Sequence, residues 1–300
     1  ETLFQHGMDE VVNLSFMDPE RAEVLSGDLI PVPIRNPISS KAALMRTTLI
    51  GGLLENILWN RNRGADGVHI FEIGKIFFAK EDAFREQLML GVAMTGRVGD
   101  VHWRDRGRSA DFFKLKGACE AVMRRLRYEP LAYQEASHPR FREGVVLSLH
   151  FKGERIGVLG LLKQELLKAF DLDEDVWAAE LNLDLLFAKQ AKAFEVEPVP
   201  KYPSVIRDVS FIADRSVPYQ DIREAVERLR LPHLERFYLY DRFSGASIPR
   251  DKVSLSFRFV FRHQGRTLQA AEVDRMQEKI VSALRTRFQF HLREGGEIDK

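Results

Sequence analysis

Arginine and tyrosine side chains recur at strand spacing in two stretches near the carboxyl end of the chain. In "VSLSFRFVFR" (253–262) every second side chain from Val253 is aliphatic or phenylalanine, which predicts a core face. The positions between them form the opposite face, which carries Ser256, Arg258 and Arg262. If Phe237 and Leu239 of "ERFYLYDR" (235–242) point inward, the outward residues are Arg236, Tyr238, Tyr240 and Arg242. Tyrosine stacks on bases and arginine neutralises phosphates, so this face could bind RNA. A solvated sheet face with amphipathic tyrosines explains the spacing equally well, and a one-residue register shift would exchange the two faces of 234–242.

The sequence carries no pattern that predicts a metal site or a catalytic centre. Its eight histidines are scattered, HExxH is absent, and Cys119 is the one cysteine. The glycines before Lys75 lack the spacing of a phosphate-binding loop, no GxGxxG follows a predicted strand, and no GxSxG occurs. We therefore predict no catalytic residue and no metal ligand in this chain.

The last hundred residues predict one small domain that would position the arginines and tyrosines. Apolar and polar side chains alternate at 205–213, 234–242 and 253–261, and "FQFHLR" ends the pattern. Helical periodicity follows the first strand and returns at 268–286. The order βαββαβ is that of the ferredoxin-like fold, with both helices on one sheet face and the other face open.

Residues before this domain predict a larger module. Branched and aromatic runs at 68–78 and 87–96 predict buried strands. After a threonine cap, helical spacing predicts an apolar stripe of Leu53, Leu54, Ile57 and Leu58. Apolar periodicity fails at 188–203, where three prolines gather. We expect domains at 1–190 and 204–300, joined by a linker at 191–203.

The length and composition of the chain favour a two-domain cytoplasmic protein. Three hundred residues with 45% hydrophobic side chains can bury more than one core. The single cysteine excludes a disulfide framework, and no apolar run reaches membrane-spanning length. Residues 201–300 have a net charge of +5 and the remaining 200 a net charge of −4. The positive charge of the last hundred residues is consistent with polyanion binding. It is also consistent with ordinary variation in net charge between parts of a chain.

Several stretches resemble one protein family in order and spacing. "YPSVIRDVSFI", "LERFYLYDRFSGASIP" and "KVSLSFRFVFR" resemble the anticodon-binding domain that ends bacterial phenylalanyl-tRNA synthetase β subunits. "NPISSKAALMRTTLIGGLLENILWNRNRG", "HIFEIGKIFF" and "DFFKLKGACEAVM" are similar to the catalytic-like module of the same subunits. The resemblance implies an α+β fold class: a degenerate class II synthetase-like antiparallel sheet with helices, followed by a ferredoxin-like βαββαβ domain.

The same resemblance implies a function without local catalysis. In these enzymes a separate α subunit performs ATP-dependent aminoacylation within a heterotetramer. This chain would bind that subunit and phenylalanine tRNA, and ATP and magnesium are expected only in the holoenzyme. Class II catalysis needs a Phe-Arg-x-Glu arginine, and "FREQ" (84–87) and "FREG" (141–144) miss the last position of that motif. Without a cation at the phosphate, the transition state loses electrostatic stabilisation.

The resemblance also implies roles for individual residues. The interface with the α subunit is expected to contain Leu53, Leu54, Ile57 and Leu58. Arg207 and Asp208 match the Arg-Asp that opens the first strand of the anticodon-binding domain, and we expect Arg207 to pair with Asp241 while Asp208 faces the open side. Two other functions stay open, a freestanding RNA-binding or scaffold paralogue and an independent adenylate-forming enzyme.

Overall fold

The computed structural model describes residues 1–81, 83–99, 103, 107–189, 199–245 and 248–293. The chain divides into two compact units, Glu1–Phe194 and Glu195–Lys300, and each combines helices with a sheet. The predicted α+β class is therefore confirmed. Most of the predicted linker lies outside the described residues.

The helices and strands have the following bounds. The α-helices are α1 (Thr2–Gln5), α2 (Ala22–Ser26), α3 (Ile50–Arg61), α4 (Phe112–Arg125), α5 (Gln164–Lys168), α6 (Leu183–Phe187), α7 (Tyr219–Arg228) and α8 (Ala270–Phe288). The strands are β1 (Asp9–Glu10), β2 (Phe16–Met17), β3 (Leu44–Met45), β4 (Gly67–Lys80), β5 (Ala83–Val98), β6 (Arg108–Ser109), β7 (Ala132–Glu135), β8 (Phe141–Phe151), β9 (Glu154–Leu162), β10 (Trp177–Asn182), β11 (Val205–Asp214), β12 (Leu234–Phe243), β13 (Lys252–Phe261) and β14 (His291–Leu292).

The first unit is built on a sheet with the strand order β1-β4-β5-β10-β9-β8-β7. Every pair from β4 to β7 along this order is antiparallel, as predicted. The prediction of an antiparallel sheet is wrong at one edge, where β1 runs parallel to β4 with Asp9 opposite Ile70. The parallel pair is short because β1 has only 2 residues.

Helices cover both faces of this sheet. Leu53 of α3 packs into one core together with Ile70, whereas Leu115 of α4 packs into a second core together with Phe71. Side chains alternate between the two faces of a strand, so the adjacent Ile70 and Phe71 enter different cores. Burial on both faces explains why apolar residues are adjacent in β4, as in Ile70–Phe71.

The second unit confirms the predicted βαββαβ order, with β11, α7, β12, β13, α8 and β14 following one another. Its antiparallel sheet has the strand order β12-β13-β11-β14. α7 and α8 pack Ile222 and Ile280 against Phe211, Phe257 and Phe259 on one sheet face. The other side of the sheet, which we call the open face, presents the opposite parity of each strand.

Candidate nucleic-acid interface

One row of side chains crosses three strands of the open face. Asp208 of β11 and Tyr238 of β12 both lie opposite Arg258 of β13, so the three side chains are cross-strand neighbours on the same side of the sheet. Asp208 therefore faces the open side, as expected from the sequence. This row places a carboxylate, a guanidinium and a phenol side by side at the centre of the face.

The Asp208–Arg258 ion pair is bidentate. Arg258 Nε donates to Asp208 Oδ1 at 2.8 Å, and Arg258 Nη2 donates to Oδ2 at 2.7 Å. This hydrogen bonding lowers the pKa of Asp208 from its usual value and raises the pKa of Arg258. The two parallel bonds fix the plane of the guanidinium, whose Cζ lies 5.1 Å from the centroid of the Tyr240 ring.

Three aromatic rings of β12 are exposed next to arginines. Tyr238 is 37% exposed, Tyr240 46% and Phe243 41%. Arg236 Cζ lies 5.8 Å from the centroid of the Tyr238 ring, and Arg293 Cζ lies 5.4 Å from that of Phe243. Rings and guanidinium groups in such proximity form a surface on which bases could stack and phosphates could bind.

A β-bulge in β12 decides which residues reach this surface. Leu239 lies opposite Phe257, but Arg242 lies opposite Leu255, because the register shifts between Leu239 and Asp241. The extra residue reverses the alternation that follows it. The predicted outward position of Arg242 is therefore wrong, since this residue aligns with a core position, and Phe243 takes the open-face parity instead.

Sequence reasoning missed Phe243 and Arg293. Alternation within one strand assigns Phe243 to the core side, and no local signal marks the bulge that reverses it. Arg293 could have been found, because it shares the parity of His291, which lies opposite Ile212 on the open face. Arg293 Nη1 also donates to Ser254 Oγ at 3.3 Å.

Two other predicted RNA contacts are engaged within the domain. Ser256 is only 5% exposed, and its Oγ lies 2.7 Å from Ser210 Oγ. Arg262 donates to the Glu235 carboxylate through Nε and to the Tyr202 carbonyl through Nη1, at 2.5 and 2.6 Å. The hydroxyl contact of Ser256 joins β13 to β11, and the two contacts of Arg262 hold the segment before β11 in place.

The predicted ion pair between Arg207 and Asp241 is wrong. Arg207 lies opposite Phe259, on the helix side of the sheet, where α8 supplies Asp274. Arg207 Nη2 donates to Asp274 Oδ1 at 2.9 Å and Nε donates to the same atom at 3.2 Å. Asp241 cannot serve as the partner because the bulge places it on the open face, opposite Ser256.

The predicted subunit-interface residues of α3 lie mainly in the core of the first unit. Leu53, Leu54 and Ile57 are each 0% exposed, and Leu58 is partly buried against the same core. The side chains of Leu53, Leu54 and Ile57 are therefore unavailable to another subunit, and the prediction is wrong for these three residues. The exposed side of α3 carries Trp59 instead, which is 56% exposed.

Buried carboxylates in the first unit neutralise its buried arginines. Glu180 is 3% exposed and accepts from Arg140 Nη2, from Thr48 Oγ1 and from the Leu49 backbone N–H, at 2.8, 2.6 and 2.8 Å. Its carboxylate thus joins β10 to the start of α3 and to the loop before β8. Elsewhere in the unit, Arg46 Nη1 donates to Glu72 Oε1 at 2.6 Å.

Other chemistry is sparse in the described part of the chain. Within it, no group of three histidine, cysteine or acidic side chains is arranged to hold a metal ion. None of its helices combines the length and the apolar character that crossing a membrane requires. Cys119 is a free thiol in the core, and burial raises its pKa to about 12.

Comparisons with known proteins assign both units. Residues 1–183 match the family model "Phenylalanyl tRNA synthetase beta chain CLM domain", and residues 200–293 match "Ferredoxin-fold anticodon binding domain". The chain belongs to the phenylalanyl-tRNA synthetase beta chain family. The resemblance inferred from the sequence is thereby confirmed.

Relatives that match this chain carry the name phenylalanine–tRNA ligase beta subunit. The protein from Legionella pneumophila (strain Lens) is 30% identical over 96% of this chain and 36% of its own length. The proteins from Clostridium tetani and Dechloromonas aromatica are 32% and 33% identical, each over 98% of this chain and 37% of their own lengths. The chain thus spans just over a third of these relatives.

One solved structure, that of a pyrrolysyl tRNA synthetase from Desulfitobacterium hafniense, covers 62% of this chain and 64% of that chain. Its TM-score is 0.46 at 16% sequence identity.

Proposed function

We propose that this chain is the non-catalytic, tRNA-binding portion of a phenylalanyl-tRNA synthetase β subunit, and that its open face binds the anticodon loop of phenylalanine tRNA. The observation that carries the proposal is the set of exposed rings, Tyr238, Tyr240 and Phe243, each with a guanidinium nearby. The match of residues 200–293 to an anticodon-binding domain supports tRNA binding by this unit.

Recognition on this face would combine stacking with charge. Unpaired bases of the loop stack on the rings, and each such contact contributes ~1–3 kcal/mol. Arg236, Arg258 and Arg293 meet the phosphates between the bases. Asp208 positions Arg258 before RNA arrives, so less side-chain freedom is lost on binding.

A separate α subunit would perform aminoacylation and would bind ATP and magnesium. Arg46 and Arg140 are buried and paired with Glu72 and Glu180, so neither is available to an ATP phosphate. The first unit would instead support assembly with the α subunit, through exposed residues of α3 such as Trp59. The protein would work in the cytoplasm, where a lone free thiol stays reduced.

Binding to two tRNAs across a salt series tests the proposal. The chain should prefer phenylalanine tRNA over the same tRNA with an exchanged anticodon, and affinity should fall as salt rises. Arg258→Gln should weaken binding and lower the salt slope by about one, as expected for one lost phosphate contact. The control Arg275→Gln removes an equal charge from α8 and should change affinity little.

Three results would count against the proposal. Equal affinity for both tRNAs would leave only a general polyanion surface. Equal losses in Arg258→Gln and in the Arg275→Gln control would place the RNA away from the open face. Aminoacylation by the isolated chain, with ATP and phenylalanine supplied, would contradict the non-catalytic assignment.

A further inference from the structure

A groove lies between α7 and β12, on the helix side of the second unit's sheet. We call it the edge groove and define it by Tyr219, Val226, Arg230, Leu234, Arg236 and Phe237, which line it. Its volume of about 450 Å³ lies in the range of small-ligand sites and is large enough for one nucleotide. β12 is the terminal strand of the sheet, so the groove opens at the sheet edge.

An aromatic ring forms part of the groove wall. Tyr219 is 42% exposed, and its ring lies parallel to that of Phe257, with an interplanar angle of 9° and 6.4 Å between centroids. This packing against Phe257 holds the Tyr219 ring in place while part of its side chain stays exposed. A ring held in this way can stack on a planar base without first being ordered.

The charge of the groove favours an anion. Its two carboxylates are already paired, Glu227 with Arg223 at 2.8 Å and Glu235 with Arg262. By contrast, no carboxylate in the described part of the chain lies at ion-pair distance from Arg230 or Arg236, whose side chains are exposed. Two cations without an ion-pair partner therefore stand at the two sides of the groove.

Arg236 connects the edge groove with the open face. It lines the groove, and its Cζ also lies 5.8 Å from the centroid of the Tyr238 ring. A single strand of nucleic acid on the open face would reach Arg236 at the sheet edge. The groove is continuous with the open face, and its two arginines lack ion-pair partners. Both features favour nucleic acid as the occupant over a second copy of the chain.

We propose that the edge groove is a second nucleotide subsite. Single-stranded RNA on the open face would cross the β12 edge at Arg236, stack one base on Tyr219 and place a phosphate beside Arg230. The subsite rests on the proposed RNA-binding function, which it extends to the helix side of the sheet.

Two variants of the whole chain test the subsite, with the anticodon stem-loop of phenylalanine tRNA as the probe. Tyr219→Leu removes the stacking ring but keeps apolar volume, and it should weaken binding about ten-fold. Arg230→Glu reverses an exposed charge, and it should weaken binding at least as much and lower the salt slope. The control Arg275→Glu makes the same charge change outside the groove and should leave the affinity within about two-fold.

A shortened probe separates the subsite from an effect on folding. An RNA that retains the open-face nucleotides but lacks those beyond the sheet edge should bind wild type and the Tyr219→Leu and Arg230→Glu variants equally. If the full stem-loop binds wild type and both variants equally, the subsite is overturned while the proposed function stands. If wild type binds no RNA, the proposed function itself fails.

Self-association gives one more decisive result. Sedimentation of wild type and Tyr219→Leu measures whether the groove holds a second copy of the chain. A dimer that dissociates in the variant, with no change in RNA affinity, would replace the nucleotide subsite with a protein interface. An unchanged oligomeric state together with the loss of RNA affinity supports the subsite.

Discussion

The carboxylate of Glu180 should contribute more to the stability of the first unit than the arginine with which it pairs. Glu180→Ala leaves Arg140, which is 7% exposed, with one hydrogen bond from Nη1 to the Leu25 carbonyl and with Nε unpaired in the core. It also removes the acceptor of Thr48 Oγ1 and of the Leu49 N–H. Breaking a buried pair from one side costs about 3–5 kcal/mol, and here a charge and two further donors are left unsatisfied.

This cost is large compared with the roughly 5–15 kcal/mol that keeps a domain folded. For a unit of this size it corresponds to a fall in Tm of roughly 6–20 °C. Arg140→Met should cost less, because Glu180 keeps two donors and the methionine fills the space with apolar atoms. Arg140→Met combined with Glu180→Leu should recover part of the loss, since an apolar pair needs no desolvation.

Thermal and chemical unfolding of the four chains measures these differences. Glu55→Ala is a suitable control, because Glu55 forms an ion pair with Arg21 in which its side chain is 62% exposed, and its loss should cost about 1 kcal/mol or less. A fall in Tm of less than about 3 °C for Glu180→Ala would contradict this prediction. So would a greater loss in Arg140→Met than in Glu180→Ala.

Three other outcomes are expected. Tyr238→Ala and Tyr240→Ala should each raise the Kd for phenylalanine tRNA about ten-fold at unchanged Tm, and wild-type affinity in both would place the bases elsewhere. Arg258 lowers the pKa of Asp208, so the ion pair should contribute to stability fully above about pH 4 and lose that contribution as the pH falls through the lowered pKa. The Tm difference between wild type and Asp208→Asn, measured against pH, should therefore be constant near neutrality and shrink in acid; a difference that shrinks near neutrality contradicts this sign. Trp59→Ala should weaken co-purification with the α subunit while tRNA affinity stays constant, and loss of both would indicate unfolding instead.

Local spacing of residues is enough to predict the element order of the second unit and the core side of β13. Alternation with a period of two predicts that Phe257 and Phe259 of β13 point inward, and the structure buries them there. These assignments need only neighbouring residues, because the pleat of a strand fixes the direction of each side chain relative to the next. The same local rule predicts Arg258 on the open face, and it predicts Tyr238 there if Phe237 and Leu239 point inward.

Contacts between distant segments determine where this alternation is interrupted and which charged side chains form ion pairs. The bulge near Tyr240 depends on how β12 aligns with β13, and it exchanges the faces of Arg242 and Phe243. The partner of Arg207 is Asp274, 67 positions further along the chain, because helix packing brings α8 over β11. The partners of Glu180 are likewise remote in sequence. Register and packing are set by contacts between distant segments, and the local spacing of residues does not encode them.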